Sequence, residues 1–577
     1  MERRVSVDEG AEAFIELLNA NGVDCIFINP GTDIYPIQEA VAKYKALGKR
    51  TPEVILCLHE QVAMAAAHGY FMITGKPQVV LVHVDVGLQQ LGGSLHNALR
   101  GRIGVVLCAG QVPSTIEADK QLGRSSHLHW YQESFDPAGI VRGYVKWESE
   151  LRSNENIHHV VQRAFQVASS EPCGPVFLSL PLELLREKIT SVSIPAAEKY
   201  SAVSTPQVDS ATLDNIADIL VQSENPLIIT GYSGRHTQSV ESLVELAETL
   251  SARVVTSQVW MNFPTSHDLF AGFEPTPYLG EADAILIIDH DVPYVPANVK
   301  PGQDARIIHI DIDPLKQNMP MWGFPADFLV QADSSKTIPV LAGLIREKLS
   351  PERQKELQAR RKQLKDEHQH QQDEWIKQAV SQATQKPISK EWVCRCIAEA
   401  IDDETILLEE PIFPDSLILH QIPRSKPGTL FHGGASLGWA LGASVGTKLA
   451  CPDKLVVSLM GDGCFVFGCP TATLWAAGAY KAPFLSVIFN NEQYAAPRKI
   501  IRRDYGPDSY SEKTGLWPGT EIKPTPDYAL IAQACHAYGQ VVTEPSELPS
   551  ALKKAIEKVK SGTAAVLDVR IGATLVM

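Results

Sequence analysis

Short runs of β-branched and aliphatic residues recur along this chain, each barely interrupted by polar positions and each followed by amphipathic text of helical period. DCIFINP (24–30), EVILCLH (53–59), QVVLVHV (78–84), GVVLCAG (104–110) and PVFLSLP (175–181) open the series. A strand that does not alternate is buried on both faces, which parallel sheets flanked by crossover helices achieve. The expected fold class is therefore α/β with mainly parallel sheets. At 577 residues the chain exceeds one core, and the runs fall into three consecutive groups. The first domain is expected over 1–190. After a loose linker, SIPAAEKYSAVSTPQVDS, a middle domain over 205–348 carries PLIITG, ARVVTS, AILIID and ARIIHIDID. Residues 349–387 interleave acids with bases and read as a solvated helical connector. The last domain, 388–577, carries TILLEE, KLVVSLM, FLSVIF and AAVLDV.

Apolar residues make up 44% and charged residues 21%, with a formal net charge of −15. That balance argues against nucleic acid or an anionic membrane as the main partner. No apolar stretch is long enough to span a bilayer, and the start MERRVSVDEGAEAF lacks the apolar core of a signal peptide. The ten cysteines contain no C-x-x-C pair and read as reduced thiols of a cytoplasmic protein.

Ligands of open α/β sheets gather beyond the carboxyl ends of the strands. Two such ends carry small polar residues: KLVVSLM runs into Gly461, Asp462 and Gly463, and PFLSVIF runs into Asn490 and Asn491. One carboxylate with one amide oxygen is a poor cage for a bare ion. It suits Mg²⁺, which keeps waters and takes further ligands from a bound phosphate. Flanking glycines and a following helix start suit the diphosphate. Taken alone, the same residues fit two ordinary strand-end turns, and Glu60, in LCLHEQVAMAAAHGYF, fits a helix-capping acid.

The GDG–NN pair resembles the thiamine diphosphate signature of the pyruvate decarboxylase, benzoylformate decarboxylase and acetolactate synthase superfamily. LCLHEQVAMAAAHGYFMITGKP, GPVFLSLPLEL, ARIIHIDIDP and FHGGASLGWALGASVG resemble its further motifs, in the family's domain order: pyrimidine-binding, middle, diphosphate-binding. The resemblance implies thiamine diphosphate and Mg²⁺ as cofactors. Asp462, Asn491 and the Gln493 carbonyl would ligate the metal, and Gly461, Gly463 and Cys464 would line the diphosphate. Leu437 would prop the cofactor in a bent form, with Ile412 and Tyr494 beside it. Glu60 would hydrogen-bond the aminopyrimidine and so assist formation of the ylide, which attacks a 2-oxo acid, loses CO₂ and leaves an enamine.

NPGTDIYP and VVLVHVDVG are most similar to benzoylformate decarboxylase, placing Thr32 and His83 at catalytic positions, with His290 near a second active-site histidine. Gln111, Ala495 and Ala496 would line the substrate pocket. One departure is EEPIFPDS (409–416), which replaces a hydroxyl-rich turn; another is HLHWYQESFDPAGIVRGYVKW, with Gln132 and Arg142, which resembles acetolactate synthase. The expectation is a 2-oxo acid decarboxylase or carboligase. The alternative is an acetolactate synthase-like transferase acting on an aldehyde or keto acceptor, in which FAD is possible but not favoured, GYSGR (231–235) being its one sequence hint. The family resemblance also implies a homodimer or a dimer of dimers.

Overall fold

The computed structural model describes residues 3–117, 122–256, 260–410 and 420–572. Its strands are β1 (Arg3–Ser6), β2 (Cys25–Ile28), β3 (Glu53–Leu56), β4 (Gln78–Val82), β5 (Val105–Gln111), β6 (Glu148–Glu150), β7 (Val176–Pro181) and β8 (Ser191–Ile194) in the first domain. The middle domain holds β9 (Pro226–Thr230), β10 (Arg253–Thr256), β11 (Ala284–Ile288), β12 (Arg306–Asp311) and β13 (Phe328–Gln331). The last holds β14 (Ile406–Glu409), β15 (Leu430–His432), β16 (Val456–Gly461), β17 (Leu485–Asn490), β18 (Tyr538–Val542) and β19 (Ala565–Arg570).

Each domain is a parallel sheet flanked by helices. The first sheet runs β3-β2-β4-β5-β7-β6, the middle one β10-β9-β11-β12-β13, and the last β15-β14-β16-β17-β19-β18. The first and last sheets thus repeat one strand order, with every pairing parallel. The apolar runs form the buried strands as expected. Strands the sequence did not announce are β1, β6, β8, β13, β15 and β18, all at sheet edges. An edge strand shows one side to solvent or to a loop, so it needs no unbroken apolar run. The linker also starts later than expected, because Ser191–Ile194 pairs antiparallel with Arg3–Ser6.

The first and last domains meet through two helices, Glu60–Thr74 and Trp439–Ala450, both rich in alanine and glycine. A Cβ on Gly446 would lie 1.7 Å from the Ala66 carbonyl oxygen, one on Gly69 would lie 2.3 Å from that of Ala443, and one on Gly442 would lie 2.7 Å from Ala65 Cβ. The backbones therefore touch, and a continuous apolar core runs across both domains. His68 meets Trp439 edge-on at 5.2 Å, and burial lowers its pKa to about 3, so the ring is neutral.

Helix Pro351–Ser381 buries Leu357, Leu364, His368 and Ala379. Its Arg353 and Arg360 donate to the carbonyls of Val221, Glu224 and Leu250 in the middle domain. Farther along, Trp375 stacks on His420 at 3.8 Å. Gln421 donates to the Trp375 carbonyl. No helix among the described residues is long and apolar enough to cross a membrane.

Gly446→Ala is expected to destabilise the fold by about 1–3 kcal/mol, since backbone cannot yield to the new methyl. Gly343→Ala, in helix Ser334–Lys348 with open space around it, is expected to gain about 0.5–1 kcal/mol from helix propensity. Urea unfolding of the two variants checks the contrast.

Candidate active site

Gly461 and Phe489 are register partners on β16 and β17, so the two polar strand ends lie side by side. Asp462 opens helix Asp462–Phe467 and is 2% exposed. Its carboxylate accepts the backbone N–H groups of Gly463 and Glu492, yet burial still pushes its pKa up to about 6. Its Oδ2 has no hydrogen-bond partner. A buried, orphaned carboxylate oxygen carries a cost that a divalent cation would remove.

Across the strand end, Asn491 Oδ1 accepts from the Gln493 backbone N–H at 3.2 Å, and Gln493 is buried. Open space lies off the Gly461 Cα, whereas a Cβ on Gly463 would fall 2.5 Å from the Tyr494 ring. Metal, diphosphate and close backbone approach therefore fit the residues present. Among the described residues no three His, Cys, Asp or Glu side chains form a cage of their own.

Two further acids in this layer escaped the sequence reading. Asp568, on β19, is held by Asn490 Nδ2 at 2.8 Å and by Arg570 at 2.9 Å, and its charge helps raise the pKa of Asp462. Glu410, just after β14, is fully buried. It accepts the N–H groups of Gly438 and Ala440 and the Cys464 thiol. Burial outweighs these donors and pushes its pKa up to about 7. Through Glu410 the turn carrying Leu437 is tied to the helix carrying Asp462. The acidic pair in EEPIFPDS was its only sequence signal. Ile412 lies outside the described residues.

Glu60 is the first residue of its helix and is 8% exposed. The cap is His59, whose ring accepts the Gln61 N–H at 3.1 Å, so Glu60 is not spent on capping. Gln61 Nε2 donates to the Phe467 carbonyl at 3.0 Å and reaches that of Leu437 at 3.5 Å. Asn97 exchanges two hydrogen bonds with the backbone of Ser436, at 2.8 and 2.9 Å. The start of the Glu60 helix is thereby fastened to half-buried Leu437 within one chain.

His83 follows β4, with Nδ1 at 2.5 Å from Asp33 Oδ1. Thr32, beside Asp33, is exposed in a turn. Tyr494, Ala495 and Ala496 begin helix Ala495–Tyr505, with Tyr494 and Ala496 exposed. Gln111 lines a different hollow of about 600 Å³ beyond β5 and β7, with Phe135, Arg142 and Ser179.

His290 follows β11 in the middle domain, and burial pushes its pKa down to about 4; its titratable neighbours are Asp291, His309, Lys316 and Asp311. These belong to an interdomain cluster. Arg102 of the first domain pairs with Asp291 and Asp311 at 3.1 Å, and Lys316 pairs with the same acids at 2.8 and 2.6 Å. Residues of the GYSGR turn join it: the Tyr232 hydroxyl donates to Asp291 at 2.9 Å, and Arg235 pairs with Asp289 and with Glu171 of the first domain.

The sequence matches three parts of one family: the thiamine pyrophosphate enzyme N-terminal TPP binding domain over residues 8–140, the central domain over 213–340, and the C-terminal TPP binding domain over 416–569. It is 27% identical to benzoylformate decarboxylase of Pseudomonas aeruginosa, across 94% of this chain and 96% of that protein. It is 25% identical to sulfoacetaldehyde acetyltransferase of Rhodobacter capsulatus, across 98% and 94%. Acetolactate synthase isozyme 3 large subunit of Escherichia coli is 24% identical, across 97% and 94%. In fold the chain is similar to the thiamine diphosphate-dependent 4-hydroxybenzoylformate decarboxylase of Rhodococcus jostii, with a TM-score of 0.79 at 22% identity over 98% and 99% of the two chains. With benzoylformate decarboxylase of Polynucleobacter necessarius the TM-score is 0.78 at 23% identity over 99% and 100%. Three matched domains in order, on a chain whose strand ends carry the orphaned Asp462, make this protein a member of the thiamine pyrophosphate-dependent enzyme superfamily.

Proposed function

We propose that this protein is a Mg²⁺-dependent 2-oxo acid decarboxylase or carboligase, with a site of the benzoylformate decarboxylase kind. The observation that carries the reading is the buried, unpartnered Asp462 Oδ2 at the paired strand ends. Asp462, Asn491 and the Gln493 carbonyl hold Mg²⁺, with Gly461, Gly463 and Cys464 along the diphosphate. Bound thiamine diphosphate supplies a carbon nucleophile and an electron sink. Glu60 would hold the proton at the aminopyrimidine ring, and Leu437 would support the bound cofactor. His83, with Thr32, manages the proton at the substrate's carboxylate, while His290 stays in the cluster between the first and middle domains. Tyr494, Ala495 and Ala496 shape the acyl pocket, whereas Gln111 faces the separate hollow beyond β5 and β7. The working form is a cytoplasmic homodimer or dimer of dimers.

Acyl transfer to an aldehyde or keto acceptor is the second reading. It is favoured by the acetolactate synthase and sulfoacetaldehyde acetyltransferase relatives and by the small side chains at Ala495 and Ala496. FAD has no part in the preferred reading, since the GYSGR turn bonds to protein groups.

Glu60→Gln is expected to lower CO₂ release from a panel of 2-oxo acids by about 10²–10⁴-fold, the range for a lost acid–base group. Its melting temperature should stay at the wild-type value, and wild-type turnover would remove Glu60 from the mechanism. Asp462→Asn removes an unpaired buried charge, so the metal-free variant should gain about 1–3 kcal/mol at neutral pH. It should also lose the stabilisation that Mg²⁺ and thiamine diphosphate give wild type, ~2.7 kcal/mol at a hundredfold excess over Kd. Scanning calorimetry with and without the two ligands reads both effects.

A further inference from the structure

The Asp33–His83 contact is built more closely than a surface ion pair. Asp33 is 3% exposed, and its two oxygens have separate tasks. Oδ1 meets His83 Nδ1 at 2.5 Å, while Oδ2 accepts the Val84 backbone N–H at 3.1 Å. Val84 adopts a φ of +30°, an unfavourable conformation for a β-branched residue that persists only where surrounding contacts enforce it. Two glycines from other strand ends make the room. A Cβ on Gly31 would lie 1.9 Å from His83 Nδ1, and one on Gly110 would lie 2.1 Å from Asp33 Oδ2. The imidazole and the carboxylate thus lie against bare backbone on two sides.

The ring is not sealed. The His83 side chain keeps 19% of its exposure, and Gln132, at the end of helix Leu128–Tyr131, hydrogen-bonds it as well. The charged groups acting on the ring are Asp33, across the strand ends, and Asp85, on its own helix. The hydrogen bond to Asp33 is the largest influence and raises the His83 pKa; burial opposes it, and the Asp33 and Asp85 charges add to the rise. The sign is definite: a raised pKa keeps the imidazolium present to higher pH, and its loss follows as pH climbs through that value.

We propose that Asp33 is the positioning residue for His83, fixing the tautomer with hydrogen on Nδ1 and leaving Nε2 as the working nitrogen of a cationic ring that receives the carboxylate of a 2-oxo acid. This rests on the role given to His83 under the proposed function. In the cationic ring the Nε2 proton is donated to a substrate oxygen and regained from solvent, while the Nδ1 proton stays on the Asp33 side throughout. Gln132 supplies an amide that holds the ring until substrate arrives.

Histidine-¹⁵N NMR of the full-length holoenzyme, with the His83 signals assigned by their loss in His83→Gln, tests the lock without reference to turnover. Neutral His83 in wild type should carry its hydrogen on Nδ1 and titrate above about 6.5, the ordinary histidine value. Hydrogen on Nε2 instead would overturn the proposal, whether or not any Asp33 variant folds. In Asp33→Asn the midpoint should fall by about 1–3 units, the usual effect of losing a contacting opposite charge. The limb of the kcat/KM–pH profile that follows His83 should move with it. An unmoved midpoint would overturn the lock. A midpoint that falls while the rate limb stays in place would overturn the role of His83 in the reaction, and with it Asp33 as a positioning residue. Gln132→Leu, on a surface segment, should leave the tautomer unchanged; a switched tautomer would make Gln132, not Asp33, the determinant.

Discussion

The contact between helices Glu60–Thr74 and Trp439–Ala450 sets the geometry on which the candidate site depends. Glycine and alanine on both sides let backbone meet backbone, so the first and last domains have essentially one separation at which they pack. Dispersion falls off within an ångström of ideal contact, which makes that separation stiff. At the end of the same helix pair, Gln61 and Asn97 bond to the carbonyls of Phe467 and Ser436. Apolar contact fixes the distance and polar contact the register. Glu60 and Leu437, one on each side of this joint, inherit their spacing from it.

Three of the buried acids at the strand ends of the last domain, Glu410, Asp568 and Asp462, are compensated unequally. Glu410 receives two backbone N–H groups and a thiol. Asp568 has Asn490 and Arg570. Asp462 keeps one oxygen without a partner. Burial raises the pKa of all three, but the unmet electrostatic demand converges on the one that the GDG motif marks. Compensating its neighbours with protein groups leaves Asp462 as the acid open to an outside cation.

What the sequence made legible was local. Doubly buried strands announce themselves by unbroken apolar runs, and the GDG and NN ends carry their chemistry within a few residues. The edge strand Glu148–Glu150 is polar, and Phe328–Gln331 holds only three apolar residues in a row, half of the strand being exposed, so nothing marks either one. Asp33, Glu410 and Asp568 were missed because each works through a distant partner. Asp33 bonds His83 across 50 positions, Asp568 bonds Asn490 across 78, and Gln61 reaches Phe467 across 406. Periodicity and motif spacing cannot register such pairs. The connector helix misled in another way: its arginines read as solvated charge, yet Arg353 and Arg360 hold backbone carbonyls of the middle domain.

The juncture of Arg102, Lys316, Asp291 and Asp311 balances two charges of each sign in a nearly dry space. Removing one member of such a set strands its partners, at about 3–5 kcal/mol, whereas replacing the whole set together by well-packed apolar residues is often close to neutral. Inheritance at this spot is therefore granular. A lineage can keep the quartet or replace it in concert, and single steps between those states are barred by stability. The seam joining the first and middle domains should thus drift in jumps, while the solvent-facing loops around it change one residue at a time.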